Sequence, residues 1–244
     1  MAGRTALVTG GSRGIGAATA LALAAAGADV AISHSGSAPR AEAVVREIEA
    51  LGRRAVAYKA DQADPAQVAE LVGAVAADFG RLDVLVNNAG VIATGPVDEP
   101  VDEEALARQY AINVRGVAAA IRAAAPVMGD GGRIVTIGSN LAVRPTRPGT
   151  ADYAAGKAAV TAYNRAAALE LAPRGITVNV VQSGSVNTEM NPEDGPSADA
   201  QRALNALGRY GRPEELAAAV VFLATPAAAF ITGSVLAVDG GFFA

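Results

Sequence analysis

Seven short apolar runs punctuate the chain: TALVT (5–9), DVAIS (29–33), RAVAYKA (54–60), LDVLVNN (82–88), RIVTIGS (133–139), ITVNVVQ (176–182) and SVLAVDG (234–240). Most show no in-out alternation, and continuous apolar strands are those covered on both faces, as in a parallel sheet. Between them lie Ala/Leu/Glu-rich stretches at 14–26, 39–51, 65–79, 103–127, 152–172 and 214–224, each long enough for a crossover helix. The pattern predicts an α/β fold: a doubly wound sheet of seven parallel strands with helices on both faces, three layers deep. Pro65 and Pro213 fit the first turn of a helix, where the missing N–H is not needed. No linker, repeat or low-complexity tract divides residues 1–244, so one domain is expected. Residues 187–207 break the rhythm, polar and turn-rich at first and weakly helical later. An insertion after a strand's carboxyl end is expected to be a substrate lid, with disorder as the alternative.

Composition narrows the chemistry. The formal charge of −4, with acidic and basic residues interspersed, offers no basic stripe for nucleic acid. Cysteine is absent, which excludes disulfides, thiolate catalysis and cysteine metal sites, and a single histidine, His34, makes no metal cluster. MAGRTALVTG runs directly into a strand-like stretch without a signal-peptide core, and no apolar run approaches the ~20 residues of a membrane span. A soluble cytoplasmic protein is the expectation.

Two stretches carry chemistry. TGGSRGIG (9–16) follows the first strand and opens the first helix. Gly10 can take a turn conformation closed to other residues, Gly14 lets backbone N–H groups approach a pyrophosphate, and Gly16 lets the helix lie close on the sheet. A glycine-rich β-α turn without a ligand is the alternative reading. YAAGK (153–157) places Tyr153 and Lys157 four apart, on one helix face. An ammonium beside a phenol favours the phenolate and draws its pKa down from about 10 toward a useful range. An exposed polar pair on a surface helix is the alternative. Ser139 ends the fifth strand, at the edge where such sheets place ligands. As a nucleophile it would need an adjacent base, and His34 belongs to the second strand.

Thr9-Gly10-x-x-x-Gly14-x-Gly16, Asp61, Asn87-Asn88-Ala89-Gly90, Asn113, Ser139, Tyr153, Lys157 and the C-terminal GRYGRPEELAAAVVFLAT…ITGSVLAVDGG occur in order over essentially the whole chain. In this set the sequence resembles the short-chain dehydrogenase/reductase family, most closely its bacterial 3-oxoacyl-carrier-protein reductase type. The resemblance implies a Rossmann-type NAD(P)-binding domain that reduces a ketone, such as a 3-oxoacyl or other small carbonyl compound, reversibly to a secondary alcohol. It implies Asn113, Ser139, Tyr153 and Lys157 as the catalytic set, with Tyr153 as proton donor, Lys157 on the nicotinamide ribose and Asn113 bending its helix and holding a relay water. Gly10, Ser12, Arg13, Gly14, Ile15, Gly16, Ser33, His34, Ser35, Asp61, Gln62, Asn88, Ala89, Gly90, Gly184, Val186 and Thr188 would line the cofactor. Leu141, Ser185 and Met190, with Ser139 and Tyr153, would line the substrate. Relatives preferring NAD carry an acid at the end of the second strand. Here His34 takes that place between Ser33 and Ser35, as a partly exposed neighbour of the adenosine, and Arg13 resembles the base that holds a 2′-phosphate, so NADP(H) is expected. A homotetramer is implied as well, with Phe242 and Phe243 otherwise an exposed apolar end. A cofactor-binding sensor or structural subunit without turnover is the rival expectation.

Three departures bear on substrate. Ser183-Gly184 stands where the family usually has Pro-Gly, which would loosen the floor of the site. Arg174 matches a basic residue of the carrier-protein docking surface, but MGDGG presents Asp130 at the other basic location, favouring a small free ketone. NLAVRPTRPGTAD (140–152) adds Arg144 and Arg147 to the pocket wall, as solvated loop residues or as a greeting for an anion.

Overall fold

A computed structural model describes all 244 residues. The strands are β1 Thr5–Val8, β2 Asp29–His34, β3 Ala55–Lys59, β4 Leu82–Asn87, β5 Met128–Ser139, β6 Thr177–Ser183 and β7 Val235–Val238. They form one sheet in the order β3-β2-β1-β4-β5-β6-β7, every pair parallel. The helices are α1 Gly14–Ala25, α2 Ala38–Ala50, α3 Pro65–Phe79, α4 Glu103–Tyr110, α5 Val117–Val127, α6 Ala151–Leu171, α7 Ala198–Ala203 and α8 Pro213–Ala224.

Both faces of the inner strands are covered, which is why they read as unbroken apolar runs. Ala6, Val8, Ile32 and Val86 pack with Leu23 of α1, Ile48 of α2 and Val220 of α8. Leu7, Ala31, Leu85 and Ile134 point the other way, against Leu71 of α3, Ile121 of α5 and Val160 of α6. The predicted helix starts hold: Pro65 and Pro213 are first-turn residues, and the Asp64 carboxylate accepts from Ala66 N at 2.9 Å.

Two departures from the predicted elements have local causes. β5 begins at Met128 rather than 133, because Met128 already pairs with Leu82 before a glycine-rich irregularity brings Arg133 opposite Val84. Gly131, at φ 75°, supplies the backbone freedom for that excursion. The stretch 103–127 is one continuous helical run, but Ala111–Gly116 winds as a π-helix. Gly116 lies so close to the loop after β3 that a Cβ there would sit 2.2 Å from the Gln62 carbonyl oxygen. Residues 187–207 are ordered by a Thr188–Asn191 bridge, the short α7, and a side-chain network in which Gln201 joins Ser185, Asn191 and Ser197.

Candidate active site

The sheet order reverses between β1 and β4, the place where open α/β sheets leave a crevice. A cavity of about 490 Å³ opens there, lined by Gly10, Ser33, Asn88, Ser139 and Ser183 from the strands' carboxyl ends. Residues 188–192 and 195–197 cover one side of it.

At one end lies the glycine turn. Gly10 and Gly14 have φ of 65° and 53°, which favour glycine. Asn88 braces the turn, donating to the carbonyls of Thr9 at 2.9 Å and Gly10 at 3.0 Å. The Thr9 hydroxyl accepts from the N–H groups of Asn88 and Ala89, both at 3.1 Å, and Ser33 Oγ accepts from Gly10 N at 3.2 Å. Asn88 and Ser33 thus hold the loop in shape. A Cβ on Gly16 would come within 2.3 Å of the Gly10 carbonyl oxygen and 2.4 Å of Asn88 Nδ2. Gly16→Ala is therefore expected to destabilise the fold by about 1–3 kcal/mol through overpacking, read as a lower thermal midpoint; an unchanged midpoint would mean that the turn has slack.

The N-terminus of α1 has neither a side-chain cap nor an acidic residue in its first turn, leaving its donors available to an anion. His34 Nδ1 and Gln62 Nε2, both buried in residues of the cavity wall, have no hydrogen-bond partner. His34 is only 9% exposed, so the expected partly exposed histidine is in fact a buried one. Asp61 meets the cavity with its carboxylate held by Arg108 at 3.1 Å and by Ala63 N at 3.0 Å. Arg13 is engaged by Glu189 at 2.9 Å, and Arg40 binds the same carboxylate at 2.7 Å.

At the other end, α6 brings half-buried Tyr153 and buried Lys157 to the cavity, beside Ser139. Lys157 Nζ donates to the Ile137 carbonyl at 2.9 Å and lies 5.9 Å from the centre of the Tyr153 ring. Ser139 Oγ accepts from Leu141 N at 3.2 Å. Asn113, inside the π-helical stretch, donates to the Val91 carbonyl at 2.8 Å and accepts from Val91 N at 3.0 Å. It thereby ties the distorted helix to the chain after β4, close to Lys157: a Cβ on Gly90 would lie 3.3 Å from Asn113 Oδ1 and 3.8 Å from Lys157 Nζ.

The expected acidification of Tyr153 by Lys157 is not what this geometry gives. Burial pushes the phenol above its ordinary value, and the groups that draw it back are the Ser139 hydroxyl and the Arg147 charge. The lysine is shifted too, its ammonium brought down by burial to about 8. Phe242 also differs from expectation: it is 3% exposed and lines the cavity, with Arg144 over its ring at 5.3 Å and donating to its carbonyl at 3.1 Å. Of the two loop arginines, Arg147 lines the cavity, while Arg144 supports it from outside through Phe242. Leu141, Ser185, Met190, Val186 and Thr188 all line the cavity as expected, as do Ser12, Ile15, Ser35, Ala89 and Gly90. Gly184 lines it too, and packs so tightly that a Cβ would meet Asp239 Cα at 2.6 Å. Sequence reasoning missed Arg40 and Glu189; a basic residue in the first turn after the acid-free end of β2 was the available signal for Arg40.

A family model described as enoyl-(acyl carrier protein) reductase matches residues 10–243. The chain belongs to the short-chain dehydrogenase/reductase family, a family of oxidoreductases. It is 42% identical over 241 residues to a 3-oxoacyl-[acyl-carrier-protein] reductase of Synechocystis, covering 98% of this chain and 96% of that one. It is 41% identical over 248 residues to an L-rhamnose 1-dehydrogenase (NAD(P)(+)) of a Sphingomonas species, covering 99% and 96%. A short-chain dehydrogenase of Burkholderia cenocepacia, solved in complex with NADP, superposes with a TM-score of 0.98 at 51% identity, covering 100% and 99%.

Proposed function

We propose that the protein is an NADPH-dependent reductase of small ketones, reversible toward the secondary alcohol. One observation carries the reading: Tyr153, Lys157 and Ser139 open into the same cavity as the glycine turn. The residues present fit a phosphorylated dinucleotide. The free first turn of α1 suits a pyrophosphate, Arg13 a 2′-phosphate, and the unpartnered Gln62 Nε2 and His34 Nδ1 are polar atoms toward which an adenosine can turn. Asn88, Ala89, Gly90, Val186 and Thr188 would line the nicotinamide half, with Lys157 on its ribose.

When bound, the cofactor supplies a hydride to the carbonyl carbon. The Tyr153 hydroxyl delivers a proton to the oxygen on which charge develops, and Ser139 Oγ holds that oxygen with it. Because burial keeps the phenol protonated at neutral pH, Tyr153 serves as the acid in the reductive direction. Lys157 is the fixed positive charge of the site, and Asn113 positions the chain it lies against. Residues 187–207 act as the lid.

The substrate half is mixed, with Leu141, Met190 and Phe242 beside Ser185, Gln201 and Arg147. Arg174 is paired with Asp130 at 3.3 Å, which leaves little free positive charge there for an acidic carrier and supports a free ketone. Absorbance of NADPH followed with ketones, β-ketoesters, carrier-linked 3-oxoacyl groups and 2-enoyl thioesters tests the reading. Oxidation driven by the free ketones is expected. Cofactor binding without turnover of any substrate would instead make the protein a sensor.

A further inference from the structure

We propose that Glu189 is an internal anion seated on the two arginines that receive the cofactor's 2′-phosphate, and that NADP(H) binds by displacing it. The inference rests on the nicotinamide-cofactor reading above. Three parts of the chain meet at this point: Arg13 in the glycine loop, Arg40 in the first turn of α2, and Glu189 in the segment after β6. Arg13 NH1 donates to Glu189 Oε2 at 2.9 Å, while Arg40 NH1 donates to both carboxylate oxygens, at 2.8 and 2.7 Å.

Charge and position both favour exchange. Two guanidiniums around one carboxylate leave one positive charge uncompensated, whereas a phosphate monoester carrying nearly two negative charges matches the pair. The end of β2 offers no carboxylate of its own for a ribose hydroxyl, since Ser33, His34 and Ser35 stand there. The acid comes instead from the segment after β6, on a side chain about half exposed. Thr188 precedes it and lies against the glycine turn, where a Cβ on Gly14 would be 3.3 Å from Thr188 Cγ2. Thr188 and Glu189 thus follow the two phosphate-binding features in sequence. All three charged side chains are about half exposed, so their ion pairs are weak enough to be exchanged.

Calorimetric titration of the whole protein with NADPH and with NADH, for wild type, Glu189→Gln and Arg40→Ala, tests this. Glu189→Gln is expected to tighten NADPH about fivefold and to leave NADH within about twofold; Arg40→Ala is expected to weaken NADPH about fivefold without changing NADH. Unchanged or weaker NADPH binding by Glu189→Gln would overturn the proposal, making the acid a surface pair or a third member of the phosphate site. Equal tightening of NADH would overturn it as well, since the effect would then be a loosened cover. If folded wild type binds neither dinucleotide, it is the cofactor reading that fails, and the wild-type titrations alone report that.

Discussion

Tyr153→Phe is expected to reduce ketone-driven oxidation of NADPH about a thousandfold, while NADPH affinity stays within about twofold. The substitution keeps the ring that packs beside Lys157 and Ser139 and removes only the hydroxyl. Positioned proton transfer is worth about 10² to 10⁴ in rate, and the other acid of this region, the Lys157 ammonium, is directed away from Ser139. Lys157 donates to the Ile137 carbonyl, and the cavity wall contains no other tyrosine. Ser139→Ala removes a hydrogen-bond donor to the developing oxyanion and is expected to lower kcat about a hundredfold, with ketone KM changed much less. Steady-state kinetics on both variants check these values. If Tyr153→Phe retains more than a tenth of wild-type kcat, the proton comes from elsewhere and the mechanism has to be rebuilt.

The sheet was legible because its inner strands are buried on both faces. TALV and LDVLVN read as continuous apolar runs for the same reason that Leu7 and Val8 pack into opposite layers. Tyr153 and Lys157 were legible too, since four residues on a helix fix a shared face whatever surrounds it. What that spacing leaves out is solvation. Burial acts on both groups in the direction of their neutral forms and outweighs the attraction expected from proximity alone. The Arg13–Glu189–Arg40 cluster joins residues 149 and 176 positions apart, and exposed ion pairs leave no periodicity in a sequence. Phe242 was misplaced because two aromatics near a chain end look exposed until the fold returns one of them to the cavity.

Lys157→Met is expected to abolish measurable ketone reduction and yet to make the ligand-free protein more stable at pH 7. The ammonium is buried, and its pKa falls from 10.5 to about 8. A shift of that size corresponds to about 3 kcal/mol of stability withheld from the protonated folded state. Losing the charged hydrogen bond to the Ile137 carbonyl offsets about 2 kcal/mol of this, and methionine preserves most of the volume. The remaining gain of about 1 kcal/mol corresponds to a rise in thermal midpoint of about 2–4 °C for a chain of this size. The sign also fixes a pH signature. Because the folded pKa lies below the unfolded one, both states hold the proton below pH 8 and the full penalty is present. Between pH 8 and 10.5 the folded protein has released a proton that the unfolded chain still binds, so wild-type stability from this group rises with pH. The variant lacks that rise, and its advantage shrinks across the same window. Thermal unfolding of both proteins at pH 7 and pH 10 measures the two effects together. A less stable variant at pH 7 would mean that the site solvates its lysine well. The expected result means instead that a positive charge is kept here against the interest of folding, as befits a group that works on a ligand.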